Sequence, residues 1–183
     1  CMRVVVFFLI CLLPPWALAD EALSRMIERY NLEKTDDYLH KQSLAFLSHE
    51  IGMRLLERQD YKAAIPYFRT ALDIDQNLDP DDPYLGGRWT YLGQAYVFDG
   101  QFRKGLESLR QALNVDERHY PAEHLNIGIA NGNLGWAMIR SRQYRQANEH
   151  LQIACGIFTK QLGEQDPQTR DCHKKLNVTL KYL

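Results

Sequence analysis

Residues 91–113 read YLGQAYVFDGQFRKGLESLRQAL, and the spacing of their small and aromatic residues decides the fold. Gly93 is followed by Tyr96, Phe102, Gly105, Leu109 and Ala112, at offsets of 3, 9, 12, 16 and 19 residues. The same offsets recur after Gly52, as Leu55, Tyr61, Ala64, Phe68 and Ala71. They recur again after Gly135, as Met138, Tyr144, Ala147, Leu151 and Ala154. The three anchors lie 41 and 42 residues apart, and one further period falls on Asn177, preceded by Leu176 and followed by Leu180. Self-similarity at a fixed period in this range marks a repeat architecture.

Helix packing explains the residue types. A glycine on one helix and a small residue on the next let two backbones approach where larger side chains would hold them apart. Tyr61, Phe102 and Tyr144 fall where a second helix starts, and are expected to wedge into the turn of each pair. Between these landmarks run segments of helical period with an apolar stripe, such as Tyr67 to Leu72. Each unit is then a helical hairpin that cannot bury its apolar face alone, and stacking several hairpins buries it.

The pattern resembles the tetratricopeptide repeat, whose signature places an aromatic residue, Leu-Gly, Tyr, Ala, Phe and Ala at these offsets. The middle copy matches best, with Trp89, Leu92, Gly93, Tyr96, Gly100, Phe102 and Ala112; the other copies carry Ser48 and Asn131 at the Trp89 position. The period exceeds the usual value of about 34 by roughly two helical turns. That length is similar to the repeats of kinesin light chains, whose linkers LGEQDPQT (162–169) resembles closely. The resemblance covers about 45–183 and implies an all-α right-handed superhelix of three hairpins and a terminal single helix. Units are expected at about 45–85, 86–127 and 128–169, with a half unit at 170–183. Residues 20–44 read as N-terminal capping helices, which a solenoid needs to cover its end.

The first nineteen residues differ from the rest. Arg3, an apolar run from Val4 to Leu13, and Ala17-Leu18-Ala19 are the parts of a secretory signal peptide. The run is shorter than the roughly 20 residues that span a bilayer. Export to a periplasm, a secretory lumen or the exterior is the expectation, with anchoring by residues 4–13 as the alternative. Cleavage after Ala19 would leave Cys155 and Cys172. These lie at comparable distances from the expected turn between the last two helices, so they either form a disulfide or remain two buried thiols.

Composition narrows the function. The chain of 183 residues is 45% apolar and 25% charged with a net charge of −1, so it has material for a core and no basic field for a nucleic acid. The six histidines form no H-E-x-x-H, no C-x-x-C pair occurs, and neither a nucleophile elbow nor a phosphate loop is present. No catalytic residue, cofactor or metal site is therefore nominated; His119 and His124 beside Glu123 read as a solvated linker. Asn177-Val178-Thr179 is a glycosylation sequon placed at a close-packing position.

Binding is the remaining class. In the family that the repeats resemble, first helices line a concave groove. Carrying those positions over nominates His49 and Met53, then Thr90, Gln94 and Val97, then Asn133, Trp136 and Arg140, and last Lys174. The set has few bases, unlike the family members that clamp a C-terminal carboxylate, and suits a partly apolar segment of a protein partner. A structural subunit of a larger envelope or secretory assembly is the competing reading, and an enzyme or metal protein ranks below both.

Overall fold

The structure, a computed structural model, describes residues 22–26, 28–29 and 38–183. The leader at 1–19, with its alternative anchor at 4–13, lies outside the described residues. From residue 38 onward the chain forms α1 (Tyr38–Glu57), α2 (Tyr61–Leu78), α3 (Leu85–Phe98), α4 (Phe102–His119), α5 (Leu125–Arg140), α6 (Tyr144–Leu162) and α7 (Pro167–Leu180). These are three antiparallel hairpins and a seventh, single helix, stacked in chain order into an all-α superhelix. Among the described residues no helix is long and apolar enough to cross a membrane.

The expected unit boundaries shift by a few residues. Helix α1 starts at Tyr38, so residues 38–44, read as part of the cap, belong to the first hairpin. Units two and three begin at Leu85 and Leu125, and the last helix at Pro167. Local capping sets two of these starts. The His124 ring accepts the Asn126 N–H at 3.2 Å, and Asp166 accepts from Gln168 at 2.8 Å, with Pro167 in the first turn. Upstream, residues 22–26 and 28–29 are helical, and Leu23 and Met26 pack onto the buried cluster of the first hairpin.

Each hairpin crosses at its anchor glycine. A Cβ built at Gly93 would lie 2.7 Å from Leu109 Cγ and 3.1 Å from the Gly105 carbonyl oxygen. One at Gly135 would lie 2.5 Å from Leu151 Cγ, and one at Gly52 would lie 2.7 Å from the Phe68 ring. The small residue of each second helix, Ala64, Gly105 or Ala147, is fully buried at the same crossing.

The turns repeat as well. Gln59, Gly100 and Arg142, each seven residues after its anchor, adopt φ of 61°, 78° and 62°. Each donates its N–H to the carbonyl three residues back. The next residue donates five residues back: Asp60 to Leu55 at 2.9 Å, Gln101 to Tyr96 at 2.8 Å, and Gln143 to Met138 at 2.8 Å. This pair of bonds ends a helix on a left-handed residue. Glycine supplies that conformation without strain at Gly100, whereas Gln59 and Arg142 adopt it against the crowding of their own Cβ.

The buried apolar residues form clusters at the seams between units. One joins hairpins one and two through Phe68, Leu72, Leu92 and Tyr96; a second joins two and three through Val97, Leu109, Leu134 and Met138. A third joins hairpin three to α7 through Leu151, Phe158, Cys155 and Cys172. Two of the aromatics that open second helices reach forward to the next unit. Tyr61 stacks on Phe98 at 4.8 Å, and Tyr144 on Tyr182 at 4.2 Å. At the final seam, Cys155 and Cys172 sit buried with Cα atoms 5.6 Å apart.

These crossings predict opposite effects for similar substitutions. Gly93→Ala should lose about 1–3 kcal/mol of stability by overpacking. Gly156→Ala, on the open face of α6 with nothing within 4 Å of its Cβ, should gain up to ~1 kcal/mol. At the turns, Gly100→Ala should cost about 1–2 kcal/mol and Arg142→Gly should stabilise. Urea unfolding of the four variants checks the set; equal effects of Gly93→Ala and Gly156→Ala would refute the close-crossing account.

Candidate partner-binding groove

Among the described residues, α3 touches α5 and α5 touches α7, while the second helices make no contact of that extent with one another. The first helices are therefore the closer set, and their outward faces form the inner wall of the array. Counting from each anchor, Gly52, Gly93, Gly135 and Asn177, this wall consists of the residues six and two before it and one and five after it. Those rows read Phe46, Gly87, Ile129 and Asp171; Glu50, Tyr91, Asn133 and Lys175; Met53, Gln94, Trp136 and Val178; Glu57, Phe98, Arg140 and Tyr182.

The wall is more apolar than the nominated residues alone suggest. Phe46 is 63% exposed, Ile129 42%, Val178 38% and Phe98 36%. Phe98 meets Trp136 at 4.9 Å between ring centroids, and the Arg140 guanidinium lies 5.8 Å from the Phe98 ring and 5.7 Å from Trp136. Trp136 thus packs back onto unit two, and Arg140 is held over two rings by attraction to their faces. A step deeper, Gln94 Nε2 donates to Asn133 Oδ1 at 3.2 Å, tying α3 to α5 across the floor.

Between α3 and α5 lies a cleft of about 480 Å³ bordered by Thr90, Tyr91, Gln94, Asn126, Ile129 and Asn133. A smaller one, about 180 Å³, lies between α5 and α7 and is bordered by Ile129, Asn133, Asp171 and Lys175. Lys175 pairs with Asp171 at 2.5 Å within α7.

Several nominated residues stand elsewhere. Val97 is fully buried, and its Cγ2 would lie 2.5 Å from a Cβ at Gly105, so it belongs to the hairpin crossing. Lys174 is exposed, and Lys175, one residue on, borders the cleft instead. His49 is half-buried against Phe68 at 5.5 Å and Tyr91 at 4.9 Å, and its Nδ1 has no hydrogen-bond partner. Burial, reinforced by the nearby Arg88 charge, lowers its pKa to about 4, so the ring is neutral at neutral pH. Met53, also half-buried, packs on the first cluster from its place in the inner wall, which Gln94, Asn133, Trp136 and Arg140 share, while Thr90 borders the larger cleft.

The nominations missed Phe46, Tyr91, Phe98, Ile129 and Asp116. Extending one register to every first helix would have found the first four. Asp116 comes from the end of α4, 7% exposed, and borders the larger cleft. His119 Nε2 lies 3.4 Å from Asp81 without a hydrogen bond, and His124 stacks on Tyr120 at 4.4 Å.

Residues 42–118 match the family model described as tetratricopeptide repeat. Protein bimA of Emericella nidulans is 25% identical over 118 residues, a match covering 57% of this chain and 14% of that protein. A putative kinesin light chain with nearly identical TPR-like repeats from Podosopora anserina superposes with a TM-score of 0.73 at 20% identity, over 89% of this chain and 78% of that one. The TPR2B domain of yeast Sti1, solved in a complex with pHsp70, superposes with a TM-score of 0.59 at 15% identity, over 78% of this chain and 98% of that one. The repeat register, the matched residues and the stacked hairpins agree: residues 42–118 carry tetratricopeptide repeats, and the chain has a fold similar to kinesin-light-chain-like arrays.

Proposed function

We propose that this chain is an exported protein-interaction module that receives a partly apolar segment of a partner protein along its inner wall. The observation that carries the reading is the alignment of Phe46, Met53, Phe98, Ile129, Trp136 and Val178 on one face of the first helices. Apolar groups gathered on one concave face are a recognition surface more often than a chance of composition. Tetratricopeptide folds are typically non-catalytic interaction modules, and the Sti1 domain offers one instance of a partner held by such a fold. The charges of this wall favour no carboxylate clamp: Arg140 is committed to two rings and Lys175 to Asp171.

Export rests on the leader signals at Arg3, Val4 to Leu13 and Ala17-Leu18-Ala19. An oxidised Cys155–Cys172 pair is consistent with it, since disulfides persist in oxidising compartments. The Cα separation of 5.6 Å is one that a bridge accepts. Such a bridge would fasten α7 to the third hairpin and restrict the unfolded chain by about 3 kcal/mol.

Two experiments test these readings. Replacing Met53 and Trp136 by Ala should weaken capture of native partners roughly tenfold or more at unchanged helical content. A partner set indifferent to both changes would refute the groove. For export, mass analysis of the native protein should place the N-terminus at Asp20 and show no alkylation of Cys155 or Cys172 until reductant is added. Two thiols alkylated without reductant, or an intact leader, would refute the corresponding part.

A further inference from the structure

We propose that the cleft between α3 and α5 receives a basic side chain, lysine or arginine, of the bound partner segment, with the Asp116 carboxylate as its counter-ion. This rests on the groove reading above and adds a chemical requirement to it.

The repeat register itself exposes the mismatch. Asp75 and Asp116 stand at equivalent places, each 23 residues after its anchor glycine. Asp75 is met by Arg88 of the next unit, Nε to Oδ2 at 2.6 Å. The residue equivalent to Arg88 in the following unit is Ala130, so the register supplies Asp116 with no cation. Asp116 is 7% exposed and borders the cleft, and among the described residues its carboxylate takes part in no hydrogen bond or ion pair. A buried carboxylate without a partner is unfavourable until an opposite charge arrives.

The surroundings suit a cation. Helix α4 brings Asp116 so near the first turn of α3 that a Cβ at Gly86 would collide with its Oδ1, and Gly87 beside it leaves the approach open. Tyr84, 80% exposed, stands at the mouth, and Tyr91 and Tyr120 line the walls. Aromatic faces around a carboxylate attract ammonium and guanidinium groups. The neighbouring loop adds Asp79, Asp81 and Asp82, of which Asp81 is shared by Arg118 at 3.0 Å.

The two nearby histidines do not fill the place. His124 Nδ1 accepts the Asn126 N–H at 3.2 Å, and its ring is stacked on Tyr120. His119 Nε2 lies 3.4 Å from Asp81 Oδ1 without a hydrogen bond, and makes none to Asp116. Burial raises the Asp116 carboxyl to about 6, opposed by these two histidines, which still leaves it ionised at neutral pH. Among the described residues no three His, Cys, Asp or Glu side chains are placed to hold a metal ion together, so a monovalent organic cation suits the cleft better.

A random-peptide display selection on the immobilised full chain tests the proposal, run in parallel on Asp116→Asn and on the Met53→Ala, Trp136→Ala double variant. Peptides selected by the wild type should share a Lys or Arg at a fixed distance from an apolar anchor. Those selected by Asp116→Asn should keep the anchor and lose the basic residue. Replacing that lysine by norleucine should weaken wild-type binding tenfold or more and leave Asp116→Asn binding unchanged. The same Asp116→Asn protein should melt no lower than wild type at pH 7, because it loses a buried charge without losing a partner. A basic requirement that survives Asp116→Asn, a selection without basic residues, or a lowered melting temperature would each overturn the inference while leaving the groove intact. Enrichment no different from that on the double variant would overturn the groove reading and this inference with it.

Discussion

The rest of the structure depends on how closely the two helices of each hairpin approach. At Gly52, Gly93 and Gly135 the facing side chain lies where a methyl group would stand, so the interhelical distance is set by the absence of one carbon. That distance fixes which residues of the second helix face inward, and it brings the turn residue seven places on into a left-handed conformation in all three hairpins. Two helices held this close hide only part of their apolar surface. The remainder must be covered by the next hairpin, which is why the buried clusters lie at the seams.

Stacking by small rotations also divides the molecule into two unequal sides. First helices meet one another along the inside, and second helices splay apart outside. Along the inner rows Phe46, Phe98, Ile129 and Val178 stay exposed among the described residues. Their apolar side chains persist there with partial support from each other, as in the contact of Phe98, Trp136 and Arg140. The architecture that makes the protein stable thus leaves a connected apolar strip uncovered, and the proposed groove rests on it.

The fold was legible in the sequence because its determinants are short-range and periodic. Glycine at the crossing, an aromatic nine residues on and a small residue three later each carry a local steric reason, and three copies in register exclude coincidence. The groove was less legible for a physical reason. First helices here are apolar on more than one side, so periodicity cannot say which stripe faces a neighbour and which faces solvent. Val97 fell on the wrong side of that ambiguity, and a one-residue error separated Lys174 from Lys175. Unit boundaries slipped because His124 and Asp166 cap their helices a few residues before the apolar pattern becomes visible. Asp116 lay beyond local reading altogether, since its meaning depends on a residue of the following unit.

That last case bears on where specificity resides in a repeat protein. Positions that obey the register are occupied by scaffold contacts and cannot distinguish one partner from another. Departures from it leave groups with unmet requirements. At the place held by Asp75 and Asp116, the third unit has Phe158, packed within the final cluster beside Cys172. The same site is therefore an internal ion pair at the first seam, an unpaired carboxylate at the second and an apolar contact at the third. Among the described residues only the second lacks a partner, and it opens on the inner wall between two helices tied by Gln94 and Asn133. A partner that supplied the missing cation would gain there what Arg88 supplies to Asp75, with the surrounding scaffold already in place.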